Sequence, residues 1–181
     1  EDLMVFSFYP TKPLGGLDGG MIVTNDKKKY EYYKSAVLNG MSYSDNNWDR
    51  KIAFPGFKMY LSSFQAEFIL RNFETFEKKQ MSLRRIRDIY NKELGYANTS
   101  THLYVIHVTN NKSFLNRLKD NGIMAGIHYP PLHLNKIYAQ GNKFNCTYSE
   151  KYKDMVATLP MNEKLSDLDL EKIIKNVKLN K

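Results

Sequence analysis

The chain is predicted to adopt an α/β fold, because strand-like and helix-like segments alternate along its 181 residues. Apolar runs at residues 3–8, 21–24 and 102–108 have the composition of strands. Helical patterns stand between and after them. The last helical segment opens with a capping-box sequence, Ser166-x-x-Asp169, and continues with apolar residues at helical spacing. These two observations predict the fold class.

The first sixty residues are predicted to contain two buried strands, an irregular loop and one helix. Pro10 and Pro13 interrupt the chain after the first strand, since proline lacks a backbone donor, and two glycine pairs follow. Residues 25–26 are predicted to cap a helix over 27–38, which ends at the Asn-Gly pair 39–40. Strands this apolar normally lie inside a larger sheet, so we expect its other strands to come from a segment preceding this sequence.

The remaining residues are predicted to form a long helix and then a smaller set of strands and helices. Leu83, Ile86, Tyr90 and Leu94 recur at helical spacing, which indicates a stripe facing the core. The predicted elements are a helix from 62 or 63 to 94, a strand at 102–108, a helix at 113–121, a short strand at 123–127, a short helix at 149–155 and the C-terminal helix.

The composition excludes several classes of protein. Hydrophobic residues make up 42% and charged residues 25% of the chain, which is typical of globular rather than disordered sequences. No apolar run approaches the ~18–20 residues of a membrane span, and the first seven residues lack a signal-peptide pattern. One cysteine, Cys146, excludes an internal disulfide and a thiolate-rich zinc cage. We therefore predict a cytoplasmic protein without a membrane partner.

The net charge is compatible with an anionic partner but does not identify one. Lys and Arg number 27 against 19 Asp and Glu, which gives a formal charge of +8. The densest basic runs, 27–29 and 84–87, fall on predicted helices, where they are typical of solvated faces. We expect no nucleic-acid partner, and a basic nucleic-acid-binding module is kept as a remote alternative. A phosphorylated small substrate would suit the same charge.

The four histidines do not predict a metal site. His102 and His107 are five positions apart on one predicted strand, an odd spacing, and are therefore expected to face opposite sides. No carboxylate–histidine pattern accompanies them or the other two, His128 and His133.

The residue that indicates chemistry is Lys12, which stands between two prolines and ahead of the glycine pairs. A lysine held in a defined loop after a buried strand can form an imine, and pyridoxal phosphate enzymes attach their cofactor to such a lysine. Ser7 precedes it by five residues, where a hydroxyl can donate to a phosphate. The residues alone leave open whether Lys12 binds a cofactor or is an ordinary surface lysine.

The segment 6–26, which reads FSFYPTKPLGGLDGGMIVTND, resembles the Schiff-base segment of the sugar-nucleotide aminotransferases, the DegT/DnrJ/EryC1/StrS family. That family pattern runs Ser-Phe-aromatic-x-x-Lys, then a loop to Gly-Gly and an apolar strand ending in Thr-Asn/Asp-Asp. Further matching segments keep the family's order over the whole chain. They are 39–41 (NGM), 55–58 (PGFK), 65–66 (QA), 84–90 (Arg to Tyr), 122–133 (GI to HYPPLH), 149–150 (SE) and 159–160 (LP).

The resemblance implies the C-terminal half of a fold-type-I transferase that depends on pyridoxal 5'-phosphate. Residues 1–60 would be the remnant of the large, cofactor-binding domain, and 61–181 a long helix and a small α/β domain. Such enzymes act as homodimers and transfer an amino group, usually from glutamate, to a keto group on a nucleotide-linked sugar. Lys12 would be the catalytic, cofactor-bound lysine and Ser7 a phosphate ligand.

Three further site residues follow from the resemblance. His128 and Tyr129 would face the nucleotide-sugar substrate; the alternative is a rigid turn at Tyr129-Pro130-Pro131 with packed or exposed histidines. The family often places a phosphate-binding asparagine, which reaches the neighbouring subunit, where this chain has Tyr60. Lys12 favours the aminating branch of the family over a dehydrating branch with histidine at that position.

The family's first half, which supplies the aspartate on the cofactor's pyridine nitrogen, has no counterpart in these residues. The chain alone is therefore expected to be inactive. The alternative is a non-catalytic remnant or subunit that dimerises or complements a separate N-terminal half.

Overall fold

The computed structural model describes residues 3–42, 48–139 and 145–180, and the chain divides into two compact units, Glu1–Glu77 and Lys78–Lys181. The division lies beyond the boundary at residue 60 expected from the sequence. Its physical cause is contact between the helix that follows residue 60 and the first glycine loop. The Asn72 amide donates to the carbonyl of Gly15 at 2.7 Å, and the Ile69 side chain lies against Gly16. Residues 61–77 therefore pack with the first unit.

The first unit is built from strand pairs and two helices. β1 and β2 run antiparallel with Val5 opposite Ile22, and β3 and β4 form a second antiparallel pair. As predicted, Asp26 caps α1, accepting hydrogen bonds from the amides of Lys28 and Lys29. The elements are β1 (Leu3–Ser7), β2 (Gly20–Thr24), α1 (Lys27–Ala36), β3 (Met41–Ser42), β4 (Lys51–Ile52) and α2 (Ser63–Glu74).

The expectation that the first two strands are buried is wrong for the described residues. β1 and β2 form a sheet of two strands, and apolar side chains on both of its faces are exposed. Val5 is 72% exposed and Met4, on the opposite face, is 58% exposed. The strands form where the sequence predicts them, but two strands alone do not supply a layer to cover either face.

In its described residues, 78–139 and 145–180, the second unit contains a short antiparallel sheet and four α-helices. β5 and β6 are adjacent, with Ile106 opposite Ala157. The elements are α3 (Phe76–Leu94, whose first two residues precede the division), β5 (Tyr104–His107), α4 (Asn111–Asp120), a 3₁₀ turn (Leu132–Leu134), α5 (Thr147–Tyr152), β6 (Val156–Leu159) and α6 (Asp167–Asn180).

The main hydrophobic core lies in this second unit. It contains Ile86 and Tyr90 of the predicted α3 stripe and the apolar face of α6, while Leu94 packs against it and Leu83 is buried outside it. The Tyr90 hydroxyl donates to the Pro160 carbonyl at 3.0 Å, and the Tyr104 hydroxyl donates to Asn91 Oδ1 at 2.8 Å. Burial raises the pKa of both tyrosines above the ordinary value of 10. The core residues are Ile86, Tyr90, Tyr104, Ile106, Val108, Phe114, Leu118, Ile123, Ala157, Leu159, Leu170, Ile173, Ile174 and Val177.

The C-terminal capping box forms as predicted. The Ser166 hydroxyl donates to the Asp169 carboxylate at 2.6 Å, and the Asp169 amide donates back to the Ser166 hydroxyl at 3.2 Å. The Ser166 backbone amide also donates to the Asp169 carboxylate, at 2.9 Å, and the two hydrogen bonds that the carboxylate accepts from Ser166 hold the pKa of Asp169 below its ordinary value. The helix then buries Leu170 and three further apolar residues on one face.

Several predicted elements differ in the structure. The long helix breaks at Thr75 into α2 and α3, because Thr75 leaves helical geometry as the C-cap of α2. The predicted strand at 123–127 is wrong; only Gly126 pairs, with Thr158. The predicted helix at 149–155 forms earlier, as α5, and the chain turns at 153–155 before β6, which the sequence did not predict. His102 precedes β5 and does not share it with His107.

Among the described helices, none is both long and apolar enough to cross a membrane.

Candidate functional site

Lys12 lies in a closed loop that joins β1 to β2. Three backbone hydrogen bonds shape the loop: the Phe8 amide donates to Gly19 O at 2.8 Å, the Gly16 amide to Phe8 O at 2.7 Å and the Lys12 amide to Tyr9 O at 2.9 Å. The Lys12 side chain is half-buried. The backbone around the lysine is therefore fixed by its own hydrogen bonds.

The glycines of this loop are required by close packing. A Cβ on Gly15 would lie 2.5 Å from the Pro10 carbonyl oxygen, and a Cβ on Gly16 would lie 2.6 Å from the Ile69 side chain. The Gly15 carbonyl also accepts the hydrogen bond from Asn72 of α2. Positions 15 and 16 thus have no room for a side chain, and the Asn72 hydrogen bond holds the loop against α2.

Ser7 ends β1, directly before this loop. Its hydroxyl oxygen accepts a hydrogen bond from the Tyr9 amide at 3.3 Å. A serine hydroxyl that accepts a bond still has its own proton to donate, so Ser7 can bind a phosphate oxygen. A lysine amine and a serine hydroxyl at the two ends of one short segment suit a phosphorylated aldehyde, and these residues fit the predicted cofactor.

Tyr60 is 52% exposed and lies beside the β1–β2 sheet, where it lines a depression with Val5 and Gly20. It lines a depression of about 370 Å³ together with Arg50 and Lys58, and the Lys58 ammonium lies 5.9 Å from its ring centroid. Neither Ser7 nor Lys12 lines this depression. Tyr60 therefore lies next to the strands that flank the Lys12 loop, and neither of its two depressions is lined by Ser7 or Lys12.

The second unit carries the other two predicted site residues, His128 and Tyr129. Both side chains are exposed, and their rings meet edge to face with centroids 4.9 Å apart. Tyr129 also lines a cavity of about 700 Å³, walled by residues 130–132 and by the start of α4. The segment thus presents two aromatic rings to solvent, and the Tyr129 ring also lines the cavity.

A buried asparagine, which the sequence analysis did not single out, lines the same cavity. Asn111 is 1% exposed, and its amide nitrogen donates to Lys153 O at 2.8 Å and to Val156 O at 3.0 Å. Its side-chain oxygen has no hydrogen-bond partner among the described residues. In the sequence, Asn111 follows the N-cap residue Asn110 at the start of a helix, and nothing in the pattern indicates that its side chain is buried.

The rim of this cavity carries charge. The ammonium of Lys153 pairs with the carboxylate of Asp154, and this contact holds the pKa of Asp154 below its ordinary value. Lys112, at the start of α4, adds a second positive charge near Asp154. Within residues 3–42, 48–139 and 145–180, no group of three or more His, Cys, Asp or Glu side chains is placed to hold a metal ion.

The α/β architecture, with its lysine loop and its HYP segment, defines half of a fold-type-I transferase. The chain belongs to the DegT/DnrJ/EryC1/StrS aminotransferase family, whose model matches residues 1–178. This match confirms the resemblance found in the sequence.

Individual relatives agree with the family assignment. The spore coat polysaccharide biosynthesis protein SpsC of Bacillus subtilis is 26% identical over 98% of this chain and 53% of its own length. A crystal structure of a DegT DnrJ EryC1 StrS aminotransferase from Brucella abortus is 28% identical and matches 98% of this chain and 50% of its own, with a TM-score of 0.85. The chain spans about half the length of the curated relatives that it matches.

The predicted cofactor is confirmed at the level of the family. Spr1654 of Streptococcus pneumoniae, solved in a PLP form and a PMP form, shares the fold with TM-scores of 0.86 and 0.87 at 23% and 22% identity. It matches 98% of this chain and 51–52% of its own length.

Proposed function

We propose that this chain is the C-terminal half of a pyridoxal-phosphate-dependent aminotransferase, which moves an amino group from glutamate to a keto group on a nucleotide-linked sugar. The observation that supports this most directly is the closed Lys12 loop in a chain of this family. The two-domain division, with the cofactor side in residues 1–60, belongs to the same proposal.

In this proposal the residues of the first unit hold the cofactor. Lys12 binds it through Nζ and carries a proton at that nitrogen during amino transfer. Ser7 donates its hydroxyl proton to the phosphate. When bound, pyridoxal phosphate supplies an electron sink that stabilises a carbanion. The packed glycines keep the Lys12 backbone in place whether or not the side chain is bound to the cofactor.

The residues of the second unit and Tyr60 bind other groups. His128 and Tyr129 contact the nucleotide-sugar, which the exposure of both rings permits. Tyr60 reaches the cofactor phosphate of a partner subunit in a homodimer, where its hydroxyl replaces the amide of an asparagine. Its 52% exposure and the adjacent Lys58 suit contact with an anion outside its own Lys12 loop.

The exposed apolar faces of β1 and β2 favour pairing with an N-terminal half that completes the sheet. The same observation supports the second candidate, a non-catalytic subunit that only complements such a half. The two differ in whether Lys12 reacts with the cofactor.

Covalent labelling separates these candidates. The 181-residue chain is mixed with pyridoxal phosphate, reduced with borohydride, and the labelled lysines are mapped by mass spectrometry. We expect saturable labelling of Lys12 that is lost in Lys12→Ala and retained in Lys27→Ala, which removes an exposed lysine of the same unit. Labelling spread evenly over surface lysines, and unaffected by Lys12→Ala, would contradict a cofactor role.

Activity is then measured with the N-terminal half supplied. Amino transfer from glutamate to a nucleotide-linked keto-sugar is expected with both halves present and not with this chain alone. Labelling of Lys12 without transfer by the complete assembly would overturn the proposed reaction while leaving the cofactor site intact.

A further inference from the structure

A side-chain contact joins the segment that carries Tyr129 to α5. His133 Nε2 lies 3.0 Å from Glu150 Oε1. The His133 side chain is 12% exposed and that of Glu150 47% exposed, so the bond is partly shielded from water. An ionised carboxylate only accepts hydrogen bonds, and His133 therefore donates from Nε2.

The segment 127–139 has few other anchors among the described hydrogen bonds. At its start, Gly126 and Thr158 exchange two backbone bonds of 3.0 and 2.7 Å. Beyond that point the described backbone bonds of the segment stay inside it, as from the Leu134 amide to Pro131 O at 3.1 Å. Pro130 and Pro131 have no amide proton to donate. Within the described chain, the His133–Glu150 bond is thus the hydrogen bond that connects the far part of the segment to another element.

The other end of this connection is rigid. The Lys153 carbonyl, just after α5, accepts a hydrogen bond from the buried Asn111 amide, and the Met155 carbonyl accepts one from the Val108 amide at 2.8 Å. Glu150 is therefore carried by a helix whose C-terminal end is fixed to the core. Two consecutive prolines restrict the backbone between Tyr129 and His133, so fixing the histidine limits the movement of the tyrosine.

We propose that Glu150 is a positioning residue: it holds His133, and through it the aromatic pair His128–Tyr129, in the place where the sugar substrate is bound. This role rests on the proposed function. It predicts that loss of the carboxylate loosens the 127–139 segment and weakens substrate binding without impairing the chemistry at Lys12.

Hydrogen exchange on the complete 181-residue chain tests the contact independently of any activity. In Glu150→Ala, the amides of Leu134, Asn135 and Tyr138 are expected to exchange about tenfold faster, since a charge-assisted hydrogen bond contributes roughly 1.5 kcal/mol. Glu150→Gln keeps an acceptor oxygen and should stay close to the wild type. Ser149→Ala, an exposed change on the same helix, is the matched control. Unchanged exchange in Glu150→Ala would overturn the proposal.

Kinetics on the complete enzyme, with the N-terminal half supplied, test the positioning role. Glu150→Ala is expected to raise KM for the sugar substrate about tenfold, with kcat and the glutamate half-reaction nearly unchanged, and Glu150→Gln should restore KM. An equal loss in the glutamate half-reaction would show a general structural defect and overturn the positioning role. If the wild-type assembly transfers no amino group, the proposed function fails, and the exchange result alone decides whether Glu150 fixes this segment.

Discussion

Asn111→Asp sets two physical effects of opposite sign against each other. Asn111 is the first residue of α4, where a negative charge interacts favourably with the helix dipole by roughly 0.3–1 kcal/mol. It is also 1% exposed, and its amide donates to the carbonyls of Lys153 and Val156. A carboxylate cannot donate, so the substitution would place a buried charge against two carbonyl oxygens.

The burial effect is expected to prevail. An unpaired carboxylate in a buried site costs several kcal/mol, and each of the two carbonyls left without a donor costs about 1–3 kcal/mol more. Part of this cost is offset, because the wild-type Asn111 side-chain oxygen already has no hydrogen-bond partner among the described residues. The wild-type protein therefore already includes the cost of removing that oxygen from water. The net loss is expected to be at least about 3 kcal/mol at pH 7.

Native-state hydrogen exchange of the β5 and β6 amides measures this loss of stability in the unit that contains Asn111. A cost of about 3 kcal/mol corresponds to roughly 100-fold faster exchange of the most protected amides, since about 1.4 kcal/mol is tenfold. Ser113→Asp, an exposed change in the same helical turn, is the control and should be neutral or slightly stabilising. If Asn111→Asp were as stable as Ser113→Asp, the reasoning from burial would be refuted.

Two further predictions concern the core and the lysine loop. Burial raises the pKa of Tyr90 above 10. The protonated tyrosine therefore contributes its full stabilisation below pH 10, and this contribution is lost as the pH rises further. In Tyr90→Phe, the fall of the unfolding free energy between pH 9.5 and about 11.5 should be shallower than in the wild type. A steeper fall in Tyr90→Phe would contradict this assignment. In Gly15→Ala, the new Cβ would collide with the Pro10 carbonyl, so selective labelling of Lys12 by pyridoxal phosphate is expected to fall about tenfold by mass spectrometry. Gly95→Ala, where a Cβ meets no atom within 4 Å although φ is +73°, should leave that labelling unchanged.

Much of the fold is predictable from local sequence signals. Capping by Asp26 and the Ser166–Asp169 box depend on residues within a few positions of each other, and both form as predicted. The family could also be identified from the sequence, because the segment around Lys12 keeps its residue types and spacing.

The remaining features depend on contacts between residues that are distant in sequence. β6 is four residues long and becomes a strand by pairing with β5, some fifty residues earlier. The burial of Asn111 and the contact of His133 with Glu150 likewise arise from tertiary packing, which leaves no periodic pattern in the sequence. The glycine pairs after Lys12 predict a loop, but they do not predict that α2 contacts it. This contact extends the first unit to residue 77.

The uneven distribution of buried side chains between the units implies an order of local unfolding. The main core cluster lies entirely in the second unit, whereas Phe8 and Ile69 are the buried large apolar residues among the described positions of the first. A region with few buried apolar contacts opens at a lower free energy. The Lys12 loop, although its own hydrogen bonds close it in the native state, is therefore expected to open at a lower free energy than β5 and β6, and a cofactor that binds only the closed loop would stabilise it by mass action.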